Sequence, residues 1–242
     1  MTSTDKPYQK IPIQDCGELL IPIPAELFIF ESPHPYHKLG APYQLSPVSS
    51  PYYLRENVGD RLITANQYLQ AEYPHLRILV FDAYRPIEVQ QFMVDHAFQQ
   101  QLKATGLTLE LLSEQQRQQL WEEVYKFWAI PSHDPATPPP HSTGAAVDVT
   151  LFDIVTVSAL NMGSDIDEIS PRSQPDYFAE SSDPTELEYH RNRQILKQVM
   201  TRAGFLQHLH EWWHFSYGDQ MWAWLHNRQS TTGAIARYGR YS

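Results

Sequence analysis

Apolar positions along the chain change period several times, and each change marks an element. Between Asp60 and Pro74, Leu62, Ala65 and Leu69 share one helical face, which predicts a helix that Pro74 stops. The next stretch, LRILVFDAY (76–84), is continuously apolar and rich in strand formers, so it predicts a buried strand. Pro86 then opens a helix, where its missing N–H has no partner to lose, and Val89, Phe92, Met93 and Ala97 form the apolar stripe. A further helix is expected over 108–129, with Leu120, Val124, Phe127 and Trp128 on one side. Five prolines keep IPSHDPATPPPH (130–141) out of regular structure. In GAAVDVTLF (144–152) the period falls to two: Ala145, Val147, Val149 and Leu151 share one face, while Asp148 projects from the other beside Ala146 and Thr150. Residues 153–182 read mostly as loop. Asp183 then reads as a helix N-cap, with Pro184 at the first position and Glu186 completing a capping-box pattern. Leu196, Val199, Met200 and Ala203 line that helix and Gly204 ends it. EWWHFSY (211–217) predicts another strand, and the proline- and tyrosine-rich residues 1–55 predict loops with short strands.

Strands mixed with helices, without regular βαβ alternation, predict an α+β fold: a small mixed or antiparallel sheet with helices packed around it. The apolar share of 42% suffices for a core, and 242 residues are expected to form one domain. Eighteen basic against 28 acidic residues leave a net charge of −10, which argues against a nucleic-acid groove or an anionic membrane surface as partner. The single cysteine, Cys16, excludes an internal disulfide and a cysteine-rich metal cluster, and is expected as a small core residue. The longest apolar run, GELLIPIPAELFIF, is broken by Pro22, Pro24 and Glu26 and does not suit a membrane span. The start MTSTDKPYQK lacks the features of a signal peptide, so a cytoplasmic location is expected.

Candidate chemistry concentrates in three segments. Asp148 is a carboxylate in the middle of an apolar strand, and a buried charge needs a strong partner such as a cation. His141 lies seven residues before it and His214 offers a second imidazole. Two histidine nitrogens and one carboxylate oxygen suit Zn²⁺ with a fourth position left for water, the pattern of a catalytic rather than a structural ion. Glu211 would then stand near that water as a general base. A regular strand points residues 211 and 214 to opposite faces, so the strand is expected to start irregularly, with Glu211 before it or at a bulge. In FDAYRP (81–86), Arg85 sits where a strand gives way to a helix, from which a guanidinium can meet an oxyanion. Each segment alone has a plainer reading: an Asp that pairs with an Arg, a core His with one hydrogen bond, a surface ion pair. The combination favours catalysis. His133, His208 and His210 lack partners at a motif-like spacing.

Taken together, HSTGAAVDVTL, EWWH, FDAYRP, NMGSDID and RNRQILKQVMTRAGF resemble the motifs of the D-alanyl-D-alanine dipeptidases, a zinc peptidase family. The resemblance covers residues 56–220 as a catalytic core and leaves 1–55 weakly matched. It implies one zinc ion per chain on His141, Asp148 and His214, Glu211 as general base and later acid, and Arg85 as transition-state stabiliser. It also implies that Asp167 binds the free α-amino group of the dipeptide. Pro139 and Pro140 stand where resistance enzymes of the family usually carry two serines, which removes any hydroxyl contact there. The expected activity is hydrolysis of D-alanyl-D-alanine to two D-alanines, in turnover of a cell-wall precursor. The alternatives are a D,D-carboxypeptidase acting on longer wall peptides and a non-catalytic peptide-binding module with a structural zinc.

Overall fold

The computed structural model describes residues 6–46 and 48–241; the first five residues of MTSTDKPYQK lie outside it. A 3-10 turn (Pro7–Lys10) precedes strands β1 (Leu20–Pro22) and β2 (Ile29–Phe30), the short helix α1 (Pro35–Leu39) and strand β3 (Tyr53–Arg55). Then come α2 (Glu56–Glu72), β4 (Leu76–Asp82), α3 (Ile87–Ala104) and α4 (Glu114–Phe127). The second half runs β5 (Ala146–Asp153), β6 (Ser158–Ala159), α5 (Pro184–Arg202), β7 (Leu206–Gln207), β8 (His214–Ser216) and α6 (Gln220–Gln229). The main sheet has the order β2-β4-β5-β8-β7, with β6 pairing the far end of β5. β2 runs parallel to β4 and the other pairs are antiparallel, so the fold is α+β with a mixed sheet.

Alternation in β5 decides the layers. Ala145, Val147, Val149 and Leu151 are fully buried in one cluster with Val58, Leu62, Ala65 and Leu69 of α2 and Leu196, Val199 and Met200 of α5. A second cluster packs Tyr36 and Tyr43 against Val89, Met93 and Ala97 of α3 and against Val124 and Trp128. Asp148 emerges on the face of β5 away from the first cluster.

A bulge in β4 places one further carboxylate beside it. The β4–β5 register runs regularly from Leu76↔Asp153 to Val80↔Val149, then shifts so that Asp82, not Phe81, stands opposite Asp148. Without the extra residue, strict alternation would put Asp82 on the same face as Val80, in the apolar core. The shift turns it onto the face of Asp148, and β8 extends the row, because Asp148 pairs with His214.

Several elements differ from their expected bounds. α2 starts at Glu56, because Val58 extends the buried stripe one turn before Leu62 and β3 feeds directly into the helix. The helix expected over 108–129 divides into a 3-10 turn (Leu109–Leu111) and α4, since Ser113 and Gln116 form a reciprocal capping box that sets the true start. Asp183 caps α5 through the N–H of Thr185, but Glu186 accepts from the Ser181 hydroxyl at 2.6 Å instead of closing a box. Cys16 is exposed rather than buried, on a surface segment whose backbone pairs with the carbonyl of Arg237. Of EWWHFSY only His214–Ser216 is strand, so Glu211 lies before it, as the irregular start required.

The N-terminal segment is bound to the functional face by Arg55. Its buried guanidinium donates to the carbonyl of Thr143 at 2.8 Å, to that of Gly239 at 3.1 Å and to Asp15 at 3.0 Å, and also to the carbonyl of Glu18. Next to Thr143, Gly144 holds φ +70°, and a Cβ there would meet Leu20 Cδ2 at 2.3 Å. Gly144→Ala should therefore destabilise the fold by ~1–3 kcal/mol, combining left-handed backbone strain with overpacking. Chemical denaturation of the two proteins, compared at equal slope, measures this.

Candidate metal and active site

Three elements bring His141, Asp148 and His214 together: the 3-10 turn Pro140–Thr143, β5 and β8. Their donor atoms lie within 4.8 Å of one another, and all three residues are buried. His141 Nε2 is 3.2 Å from Asp148 Oδ2, His214 Nδ1 is 3.0 Å from Asp148 Oδ1, and the two ring nitrogens are 3.1 Å apart.

The outer hydrogen bonds fix which nitrogens face inward. His141 Nδ1 meets the carbonyl of Ala83 at 2.7 Å, and a carbonyl only accepts, so Nδ1 carries the proton and Nε2 offers its lone pair. Ser216 donates its hydroxyl to Asp219 at 3.1 Å, which leaves its oxygen to accept from His214 Nε2 at 3.3 Å. His214 Nδ1 then faces inward bare. Two imidazole lone pairs and a carboxylate converge with no proton between the nitrogens, an arrangement that a cation resolves. The donor set therefore fits a divalent metal ion.

Around this centre the other predicted residues line the same cavity: Arg85, Asp167 and Glu211, with Lys6, Tyr8, Gln90, His208 and Trp213. Glu211 Oε2 lies 3.9 Å from His214 Nδ1, and Oε1 lies 3.5 Å from His208 Nδ1. Burial first, then the neighbouring Asp148 and Asp167, push the Glu211 carboxyl well above the usual carboxylate range. Burial alone would also raise Asp148, but the imidazoles of His141 and His214 hold it well below that range.

Arg85 is held from four sides. Nε donates to Asp82 at 2.9 Å, Nη1 to Gln90 at 3.0 Å, and Nη2 to the Tyr36 hydroxyl at 3.0 Å and to Asp148 at 3.4 Å. Tyr36 passes the contact on, donating its hydroxyl to Asp167 Oδ2 at 2.8 Å. Asp167 has φ +66°, a conformation rare for a residue with a side chain. Arg193 stabilises its loop, donating to the carbonyls of Met162 at 2.7 Å, Gln174 at 2.8 Å and Arg172 at 2.9 Å. Burial pushes Asp167 up to about 6, against the pull of Arg85 and with Asp148 adding to the rise.

Sequence reasoning passed over several of these residues. Asp82 stands in FDAYRP, yet alternation alone sends it to the core face. Tyr36 and Lys6 come from the weakly patterned N-terminal part. His208 precedes Glu211 by three residues, a spacing with no recognised motif, and Ser216 and Asp219 follow His214 without a pattern of their own.

The mixed sheet presents two histidines, an aspartate and a neighbouring glutamate in one cavity, a donor set and carboxylate that suit a metallopeptidase. The chain belongs to the D-alanyl-D-alanine dipeptidase family: the family model described as D-ala-D-ala dipeptidase matches residues 31–232. It is 49% identical over 242 residues to the D-alanyl-D-alanine dipeptidase of Synechocystis sp., covering 97% of this chain and 96% of that one. It is 40% identical over 75 residues to the enzyme of the same name from Escherichia coli, covering 31% of this chain and 36% of that one. Among solved structures, the vancomycin-resistance D,D-pentapeptidase VanY in complex with Zn(II) aligns over 68% of this chain and 72% of its own, at 18% identity and a TM-score of 0.40.

The Ser216 hydroxyl accepts from His214 and is not itself among the three candidate ligands. Ser216→Ala should weaken metal binding roughly 10-fold or more while leaving the ligands in place. Competition with a chromogenic chelator reads the change directly.

Proposed function

We propose that this chain is a zinc-dependent dipeptidase that hydrolyses D-alanyl-D-alanine to two D-alanines. The observation that carries the reading is the three-donor cluster with Glu211 and Asp167 on the walls of one cavity, in a member of this family. His141, Asp148 and His214 would hold the ion, which supplies Lewis acidity and brings the pKa of a water toward about 7. Glu211 accepts the proton of the attacking water at its carboxylate and delivers it to the nitrogen of the leaving D-alanine. Arg85 faces the oxygen that gains charge, and Asp82, Gln90 and Tyr36 fix its guanidinium beforehand, so little reorganisation is needed in the transition state.

Asp167 pairs with the free ammonium of the dipeptide and so restricts the site to substrates with an unblocked amino end. A longer or acylated peptide would leave that carboxylate desolvated and unpaired. No helix of the described residues is long and apolar enough to cross a membrane; we place the enzyme in the cytoplasm, acting on wall precursor.

Release of alanine from D-Ala-D-Ala by the zinc-loaded protein, with none from N-acetyl-D-Ala-D-Ala, tests the reading. Loss of activity on chelation and its return with one zinc per chain are expected. Equal rates on the two substrates would instead support a carboxypeptidase.

Glu211→Gln should retain zinc and lose roughly 10²–10⁴-fold in kcat, because the amide cannot take the proton. Asp148→Ala should lose metal and activity together. Metal analysis beside turnover separates the two, and a Glu211→Gln protein with normal zinc and near-normal kcat would remove the assignment.

Asp167 also sets an expected pH dependence. Its folded pKa of about 6 means the carboxylate is charged above that value and neutral below it, so pairing with the ammonium is lost as pH falls through 6. KM for D-Ala-D-Ala should rise on that acidic limb, and Asp167→Asn should have a high KM that no longer changes there. KM measured across pH 5 to 8 checks it.

A further inference from the structure

A dipeptide is a zwitterion, and the residues named so far meet its amine and its scissile bond but not its carboxylate. Three cations line the cavity: Arg85, Lys126 and Lys6. Arg85 already faces Asp82, Asp148, Gln90 and the Tyr36 hydroxyl. Lys126 is 59% exposed and paired with Glu123. Lys6 is half-buried, and its Nζ donates to the carbonyl of Tyr125 at 2.6 Å. Among the described residues it has no carboxylate at ion-pair distance, although the charge of Glu211 acts on it, and the Tyr125 carbonyl takes one of the three donors of an ammonium.

The placement of Lys6 is built into the fold. Its backbone N–H donates to Gln9 Oε1 at 3.0 Å, closing the 3-10 turn that follows. Gln220 at the start of α6 donates to the carbonyls of Ile11 at 2.7 Å and Gln9 at 3.3 Å, and Tyr8 packs on Met221 and Leu225. Lys6 also borders the depression outside the cavity with Phe127, Ile169 and Pro171, a depression that Asp167 does not reach. It therefore borders both the cavity and this outer depression, whereas Asp167 lines the cavity and not the depression. Pro139 and Pro140 supply neither a hydroxyl nor an N–H for an anion on the neighbouring wall.

Resting on the dipeptidase reading, we propose that Lys6 is the specificity-determining residue for a free C-terminal carboxylate, closing the site against substrates extended or blocked at that end. The N-terminal turn is then part of the substrate pocket, and recognition of both ends of the molecule limits the enzyme to dipeptides. Pairing with the carboxylate is present in both ground and transition states, so its loss belongs in KM.

The test compares D-Ala-D-Ala with its C-terminal amide, D-Ala-D-Ala-NH₂, on the zinc-loaded wild type, Lys6→Met and Lys6→Arg. The wild type should prefer the free carboxylate. Lys6→Met should raise KM for the free dipeptide about 10–100-fold and leave KM for the amide where it was, while any change in kcat through the charge that Lys6 presents to Glu211 falls equally on both substrates. Lys6→Arg should restore most of the preference. Equal losses on both substrates would show that Lys6 acts only as a strap to Tyr125, and equal wild-type rates on the two would show that no carboxylate is read; either overturns the proposal. Turnover of neither substrate by the wild type removes the dipeptidase reading and this inference with it.

Discussion

Burying the charge of Asp148 is the constraint around which the functional half of the molecule is arranged. At 2% exposure, in a strand whose neighbours are Val147 and Val149, its carboxylate needs compensation from every side. The imidazoles of His141 and His214 approach it at 3.2 and 3.0 Å, and the guanidinium of Arg85 stands at 3.4 Å. Those groups need partners in turn, and each is found in a different element: Ala83 for His141, Ser216 for His214, and Asp82, Gln90 and Tyr36 for Arg85. One desolvated charge thus ties α1, β4, α3, β5 and β8 to a single point.

The flanking loops are held by a common device, a buried arginine that donates to backbone carbonyls. Arg55 holds the turn carrying His141 to the N-terminal segment and to Gly239, and Arg193 holds the loop carrying Asp167. Loops without regular hydrogen bonding leave carbonyls unpaired, and a planar guanidinium can meet several at once. Both loops are thereby rigid enough to present side chains, including Asp167 in its left-handed conformation, without belonging to the sheet.

Charge separation along the cavity follows from this scaffold. Asp167 receives a hydrogen bond from Tyr36 on one side of the cavity, while the N-terminal turn brings Lys6 to where the cavity meets the outer depression. On the dipeptidase reading proposed above, a small zwitterion entering the cavity would meet opposite charges at its two ends, which favours one orientation over the reverse.

Periodicity by itself determined the existence of the main helices, the strands β4 and β5, and the side of β5 from which Asp148 projects, because one buried face imposes a period that the sequence must carry. The residue patterns singled out His141, Asp148, Glu211, His214 and Arg85, and the family resemblance added Asp167; all six line one cavity. Helix starts were less legible: α4 begins where Ser113 and Gln116 cap one another, a local hydrogen-bond choice that a hydrophobic stripe does not record. Cys16 is exposed where a core position was expected, because burial of a small residue depends on what packs over it, which periodicity does not record. Only the tertiary structure decided that a one-residue bulge turns Asp82 toward Arg85, that Tyr36 joins Arg85 to Asp167, and that Lys6 reaches a cavity formed some 80 to 200 residues later in the chain. Those are contacts between segments with no shared period, and their geometry comes from register and packing, which exist only once the chain has closed on itself.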